Sequence, residues 1–132
     1  MQMTRDIQDA LISLDLDDEN CVAIARFKFD DALPLFAGHF PGDPIVPGVH
    51  QIELVRATVE KLLSVKLRIR EVPSAKFTQK VVPSQTGSVR ITELDDSGSI
   101  RVKATVETDN EVAAKIRLVL ERDENDTKDG HH

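Results

Sequence analysis

The chain has one cysteine, no tryptophan and no tyrosine among its 132 residues. A single cysteine excludes an internal disulfide, so the fold must be stabilised by its core alone. Because five phenylalanines are the only large aromatic residues, the core is predicted to consist mostly of valine, isoleucine, leucine and alanine. A domain of this length buries roughly two thirds of the surface that its unfolded chain exposes, which is enough for a core without a metal.

Long apolar runs and an excess of positive charge are also missing. No stretch approaches the ~20 apolar residues of a membrane-spanning helix. The first residues, MQMTRDIQDALISL, lack the cationic start and apolar run of a secretory signal. We therefore expect a cytoplasmic protein that does not insert into a membrane. Seventeen basic against twenty-three acidic residues give a net charge of −6, which disfavours binding to nucleic acid.

The first part of the chain changes pattern twice. Residues 4–14 have the apolar spacing of a short helix, which Thr4 is placed to cap. Residues 21–29 alternate between apolar and polar side chains, as in a half-buried strand. Residues 30–48 hold four of the six prolines and three of the six glycines, so they cannot form regular structure along their length. A connection this long inside a compact domain is usually functional or disordered, and its spaced apolar residues favour a packed, functional one.

The second part predicts one helix followed by strands. Pro47 suits the first position of a helix, and the following apolar stripe consists of Val49, Ile52, Val55, Val59, Leu62 and Leu63. A period of two then predicts strands at 67–72, 76–82, 88–94, 100–108 and 112–121, with hairpin turns at 95–99 and at Asp109–Asn110.

This order of elements predicts the α+β class, with an antiparallel sheet wrapped around one long central helix. We assign residues 1–122 to a single domain and residues 123–132 to a polar, disordered tail. One sheet covering one helix leaves an edge strand and an outer face, which a second subunit could cover.

Residues 36–53 carry the candidate chemistry. Histidine side chains titrate near neutral pH, and His39 lies in the proline-rich loop, where it could move a proton. Glu53 borders the apolar stripe, in the kind of environment where a carboxyl can serve as an acid. The N–H groups of Gly48 and Val49 lie in the first turn of the helix, where they can donate to a polarised carbonyl oxygen.

A structural explanation of the same residues is equally open on the pattern alone. A single loop histidine is more often structural than catalytic. Glu53 could simply form a column of charges with Arg56 and Glu60, three and seven residues further on.

The string GHFPGDPIVPGV at residues 38–49, with a glutamate fourteen residues after the histidine, is specific. It resembles the 3-hydroxyacyl-acyl carrier protein dehydratases of bacterial fatty acid synthesis, and KFTQKVVP at residues 76–83 is a weaker match to the same family. The resemblance implies the hot-dog fold and a lyase that dehydrates (3R)-hydroxyacyl thioesters to trans-2-enoyl thioesters.

The resemblance also implies roles for particular residues. His39 would take the proton from C2, oriented by the backbone carbonyl of Ile45, and Glu53 would assist departure of the 3-hydroxyl as water. The N–H of Gly48 would polarise the thioester carbonyl. It further implies no cofactor and no metal, an acyl carrier protein that presents the substrate, and a homodimer with an apolar tunnel between its subunits. The substrate-binding residues on this view are Phe36, Phe40, Gly48 and Val49.

Several positions depart from the family pattern. Ala57 stands where a glutamine is common, and His50 and Gln51 replace aliphatic residues. Arg56 replaces a small residue, and an ion pair with Glu53 would weaken that carboxyl as a proton donor. These departures leave two alternatives open, which are a hot-dog acyl thioesterase and a non-catalytic subunit that binds the acyl carrier. Four basic residues are candidates for docking the acidic carrier, namely Arg68, Arg70, Lys76 and Lys80.

Overall fold

The computed structural model describes residues 2–16, 22–36 and 44–123. The described elements are two α-helices, a short 3-10 helix and six strands. In chain order they are α1 (Gln2–Ala10), β1 (Leu11–Leu16), β2 (Ala23–Phe27), the 3-10 helix (Pro34–Phe36), α2 (Gly48–Leu63), β3 (Leu67–Phe77), β4 (Gly87–Asp95), β5 (Ile100–Thr108) and β6 (Glu111–Arg122).

The six strands form one sheet in the order β1-β2-β4-β5-β6-β3, and every neighbouring pair is antiparallel. One face of the sheet packs against α2, and α1 lies against both α2 and β1. Strands β1 and β3 are the two edges of the sheet. The predicted α+β architecture is therefore confirmed. Within the described residues no helix is long and apolar enough to cross a membrane.

Strands β5 and β6 follow the predicted alternation closely. Their inward side chains, such as Val106 and Ile116, are fully buried, and the outward ones, such as Lys103 and Lys115, are exposed. The two-residue turn between them has positive φ at Asp109 (50°) and Asn110 (65°). That is the backbone of a type I′ hairpin, which matches the right-handed twist of the flanking strands. Both predicted hairpins are confirmed.

The predicted helix at residues 4–14 is wrong in its second half. The helix α1 ends at Ala10, and residues 11–16 instead pair with β2 as an edge strand. The carbonyl of Ala10 accepts a hydrogen bond from the N–H of Lys28 at 2.9 Å. Because short helices are marginal alone, pairing with β2 outweighs the local helical spacing. Since α1 begins at Gln2, Thr4 lies inside it and does not cap it.

The predicted break between strands 67–72 and 76–82 is also wrong. Strand β3 runs without interruption through Pro73, and residues 79–82 are not a strand. Proline has no N–H to donate, but among the described strands β3 pairs only with β6, and its register shifts between Glu71 and Ser74. An edge strand with a bulge therefore accommodates Pro73, which a central strand would not.

The helix α2 is buried around most of its circumference in its middle turns. Leu54, Val55 and Val59 have no exposed surface. By contrast Val49, which the sequence placed on the buried stripe, is 52% exposed. The sheet covers one side of the helix and α1 covers another, so burial does not follow a single stripe. The assignment of 1–122 to one domain with a tail at 123–132 stays a prediction, because residues 124–132 lie outside the described part.

Candidate functional site

The candidate site lies at the start of α2. His39 and Phe40 fall within residues 37–43, which lie outside the described residues, so their proposed roles stay predictions. Phe36, just before that segment, is 6% exposed. Its ring meets that of Phe29 edge to face, with centroids 6.4 Å apart. Phe36 is therefore part of the core.

The first turn of α2 leaves backbone donors without helical partners. The carbonyl of Pro47 accepts the N–H groups of His50 at 3.0 Å and of Gln51 at 3.2 Å. The N–H groups of Gly48 and Val49 precede these bonds, and Pro47 supplies no side chain to cap the helix. The two donors that the sequence singled out are thus at the helix N-terminus, where the dipole also favours negative charge.

Gly48 lies in a cleft of about 420 Å³ between the start of α2 and the end of β3. A Cβ at this position would come within 2.9 Å of Cζ of Phe77, so the phenyl ring lies directly against the glycine backbone. Phe77 itself is 44% exposed. The half-buried Ile45, whose carbonyl was predicted to orient His39, lines the same cleft. Val49 is not among the described residues that line it.

Glu53 is held in an ion pair further along α2. Its Oε1 accepts a hydrogen bond from Nε of Arg56 at 2.8 Å, and its side chain is 20% exposed. Among the described residues that line the Gly48 cleft, Glu53 does not appear. The structure therefore brings Gly48 and Ile45 together and places Glu53 apart from them within the same chain.

Arg56 joins two carboxylates and one strand end. Its Nη1 lies 2.7 Å from Oε2 of Glu60 and 3.4 Å from the carbonyl oxygen of Leu67. Oε2 of Glu60 also accepts the N–H of Leu67 at 2.7 Å. Burial disfavours the guanidinium charge, but the hydrogen bonds and charges of Glu53 and Glu60 outweigh it and raise the pKa of Arg56. The pairing that the sequence suggested is present, so Arg56 does not turn away from Glu53.

Two buried polar side chains in the first turn of α2 were treated by the sequence only as departures from a family. His50 is 9% exposed, and within the described residues its Nδ1 has no hydrogen-bond partner. Its ring meets Phe29 edge-on at 6.3 Å. Burial lowers the pKa of His50, while the charges of Asp6 and Glu53 act in the opposite direction. In the sequence, the signal for a role of His50 was its spacing of three residues from Glu53, which places both side chains on the same face of the helix.

Gln51 is 3% exposed and lines the Gly48 cleft. Its Nε2 donates to the carbonyl of Val46 at 3.2 Å, whereas its Oε1 has no partner among the described residues. Buried amide oxygens are usually hydrogen-bonded, so this one marks unused acceptor capacity beside the cleft. Ala57, named above as a departure from the family pattern, is 2% exposed and packs in the core.

Comparison with known proteins shows a match to one protein family. A family model described as ApeI-like, ApeI dehydratase, matches residues 15–117. The 3-hydroxyacyl-acyl-carrier-protein dehydratase FabZ of Cereibacter sphaeroides is 34% identical over 95 residues, 64% of this chain and 61% of that protein. FabZ of Thermotoga petrophila is 29% identical over 108 residues, 78% of this chain and 77% of that protein. The chain thus spans about three fifths of the length of the first of these relatives.

Solved structures share the fold. The dehydratase heterocomplex ApeI:P from Xenorhabdus doucetiae matches with a TM-score of 0.69 at 24% identity, over 83% of this chain and 95% of that one. A putative thioesterase, yhdA from Lactococcus lactis, matches with a TM-score of 0.63 at 13% identity, over 87% and 93%. Identities this low carry the fold alone. The predicted hot-dog fold is confirmed, and so is the predicted resemblance to the dehydratases.

Proposed function

Because the chain belongs to the ApeI-like dehydratase family, we propose that it catalyses the reversible dehydration of 3-hydroxyacyl thioesters to 2-enoyl thioesters. The observation that carries the proposal is the family match over residues 15–117, which spans the loop of His39 and the helix of Gly48 and Glu53. Membership of this family supports the predicted hydro-lyase activity.

The proposed mechanism starts at Gly48. Its N–H donates to the thioester carbonyl oxygen, which stabilises enolate-like charge and acidifies C2, an effect that can be worth ~3 kcal/mol per donor. His39 takes the C2 proton, and the electron pair released from that C–H bond forms the C2=C3 double bond. The C3–O bond breaks, and the hydroxyl leaves as water with a proton from Glu53.

The ion pair with Arg56 bears directly on the last step. The charge-assisted hydrogen bond from Nε of Arg56 at 2.8 Å engages Oε1 of Glu53, and that oxygen must give up this bond before it can deliver a proton to the leaving hydroxyl. Arg56 is therefore proposed to slow dehydration relative to a chain with a small residue at that position.

The substrate is proposed to be a (3R)-hydroxyacyl chain on an acyl carrier protein, in fatty acid or related acyl-chain synthesis. The relatives at 34% and 29% identity are named for that carrier. A thioester linked to coenzyme A offers the same acyl chemistry, so the two carriers must be compared directly.

The active unit is proposed to be a dimer with sites shared between subunits. In one chain Glu53 does not line the Gly48 cleft, so the acid of one subunit would serve the cleft of the other. Edge strand β3 exposes Val72 (43%) and Phe77 (44%), which is apolar surface that a second subunit would cover. A homodimer is the simplest case. The ApeI protein of Xenorhabdus doucetiae instead occurs in a heterocomplex.

Mixing two inactive variants tests the shared site. We expect His39→Ala and Glu53→Gln each to lower turnover by 100-fold or more, as for loss of a general acid or base. When the two variants are unfolded and refolded together, mixed dimers should contain one intact site and regain activity. The same variants refolded separately are the control. Failure to regain activity in proven mixed dimers contradicts the shared site, and sedimentation as a stable monomer contradicts the dimer.

An acyl thioesterase is the second candidate, favoured by the Glu53–Arg56 pair. An ionised carboxylate can activate water for attack on the thioester carbonyl, and such chemistry needs no protonated Glu53. The two reactions are separated by their products. Incubation with trans-2-butenoyl thioester yields 3-hydroxybutanoyl thioester in one case and a free thiol with free acid in the other. Absence of both products, with the acyl carrier still bound, supports a non-catalytic binding subunit.

A further inference from the structure

Four exposed cations meet on the outer face of the sheet, on the side away from α2. They line a groove of about 740 Å³ that crosses four adjacent strands, and the cations themselves lie on three of these strands. We call this surface the basic face, and its residues are Lys76 on β3, Lys103 on β5, and Lys115 and Arg117 on β6.

The strand register places like charges opposite each other on the basic face. Lys76 is the direct partner of Lys115, and Lys103 is the direct partner of Arg117. Like charges directly opposite in an antiparallel pair destabilise a sheet. In a chain of net charge −6, which has more acidic than basic residues, two such pairs side by side are not explained by stability.

Other cations on the same sheet show the usual arrangement. Arg68 lies 2.9 Å from the carboxylate of Glu121, and Arg90 lies 3.0 Å from that of Glu107. Within the groove the one carboxylate among the described lining residues is Glu93, 3.5 Å from Lys103. The side chain of Glu93 is 72% exposed, so this pair is weak and leaves the groove strongly positive.

The basic face differs from the set of docking residues that the sequence suggested. Arg68 pairs with Glu121, and Arg70 donates to the hydroxyl of Ser99 at 2.8 Å. Lys80 lines the Gly48 cleft rather than this groove. Of the four residues named from the sequence, Lys76 alone lines the groove.

The basic face adjoins the candidate site at one strand end. Lys76 and Phe77 are consecutive at the end of β3, so their side chains lie on opposite faces of the sheet. Phe77 contacts Gly48, the proposed carbonyl-binding residue. A partner bound at Lys76 would therefore need only to extend a flexible arm around the end of β3 to bring a thioester to Gly48.

We propose that the basic face is the docking surface for an acidic helix of the acyl carrier protein, an inference that rests on the proposed function. Three neighbouring strands at ~4.8 Å spacing span about 10 Å, close to the diameter of one helix with its side chains. A single phosphate would need only one of the two like-charge pairs. A nucleic acid would extend beyond the face onto a surface of net negative charge.

Charge reversal on the basic face tests the docking. The double variant Lys103→Glu/Arg117→Glu is compared with Arg5→Glu/Lys61→Glu, which changes net charge equally at exposed residues of the two helices. The substrates are trans-2-butenoyl thioesters of the acyl carrier protein of Cereibacter sphaeroides, of coenzyme A and of N-acetylcysteamine. We expect KM for the carrier-linked substrate to rise tenfold or more in the first variant alone, with kcat/KM for N-acetylcysteamine unchanged within twofold.

The other outcomes are equally informative. An unchanged KM for the carrier-linked substrate overturns the docking proposal, as does an equal loss with all three thioesters. A rise confined to the coenzyme A substrate identifies the face as a phosphate site instead. If the wild type turns over none of them, the proposed function fails while docking is still measured, by fluorescence anisotropy of the labelled carrier. Tenfold weaker binding to the first variant than to the second then supports the docking surface, and equal binding overturns it.

Discussion

In the first turn of α2 several polar groups have no partner among the described residues, whereas the charged groups of its middle turns are paired. In the first turn, the N–H groups of Gly48 and Val49 precede the helical hydrogen bonds, and Nδ1 of His50 and Oε1 of Gln51 are buried without a partner among the described residues. About one to three turns further on, the charged groups of Glu53, Arg56 and Glu60 are all paired.

This difference separates binding capacity from structural restraint. Unused donors and acceptors beside a cleft can bind a ligand without first breaking a protein hydrogen bond. A guanidinium fixed between two carboxylates and the start of β3 holds α2 against the sheet. Glu53 belongs to both regions, since it is the proposed acid and also part of the restraint. The following predictions test this difference between the first turn and the middle turns of α2.

Among the changes that compare the two parts of α2, the largest effect is expected at Gly48. A methyl group in Gly48→Ala would meet the ring of Phe77 at 2.9 Å, so the ring or the helix start must shift. We expect kcat/KM to fall tenfold or more, because the N–H no longer aligns with the thioester carbonyl. The double variant Gly48→Ala/Phe77→Leu should recover most of the loss. No recovery, together with unchanged folding, would show that Phe77 is not the obstacle.

A smaller effect is expected at Arg56, with opposite signs for stability and activity. Replacing it in Arg56→Ala leaves Glu53 and Glu60 without their cation and removes the tie to Leu67. We expect the free energy of unfolding to fall by about 2 kcal/mol, since both carboxylates stay partly solvated. Dehydratase activity of the folded protein should rise. Urea denaturation and steady-state kinetics measure the two quantities, with Arg68→Ala as the exposed control.

Unchanged activity in Arg56→Ala would mean that the ion pair does not restrain Glu53 as a proton donor. A loss of both activity and stability would instead place Arg56 among the residues that orient Glu53 productively.

The smallest effect is a pH dependence from His50. Burial lowers the folded-state pKa of His50 below 6.5, so the unfolded chain binds the proton more tightly. The stability contributed by neutral His50 is present above pH 6.5 and is lost as the pH falls from there through the lower folded value. The negative charges of Asp6 and Glu53 act in the opposite direction and reduce this effect. Urea midpoints between about pH 7.5 and pH 5.5 should fall less in His50→Leu than in the wild type. Identical slopes would contradict the assignment.

How far the sequence predicted the fold depended on whether local pattern and pairing agreed. Strict alternation placed β5 and β6, and Asp109–Asn110 marked a turn that needs positive φ. The predicted strand break at Pro73 was wrong because the sequence does not show that β3 is an edge strand. The predicted helix was wrong beyond Ala10 because pairing with β2 determines the conformation of residues 11–16.

In the candidate site, the sequence predicted only those contacts that follow from the spacing of residues along one helix. The ion pairs of Arg56 with Glu53 and Glu60 follow from spacings of three and four on a helix. The contact between Phe77 and Gly48 joins residues far apart in sequence, so no local pattern indicated it. The burial of His50 and Gln51 likewise depends on how Phe29 and the loop before α2 pack around the helix.

The central claim is that residues 36–53 form an acid–base site for thioester dehydration. Its most direct test is hydration of trans-2-butenoyl thioester, on acyl carrier protein and on coenzyme A, by the wild type and by His39→Ala. We expect turnover by the wild type that is lost by at least 100-fold in His39→Ala, the magnitude of a general base. Turnover that persists within a few-fold in the variant would contradict the claim.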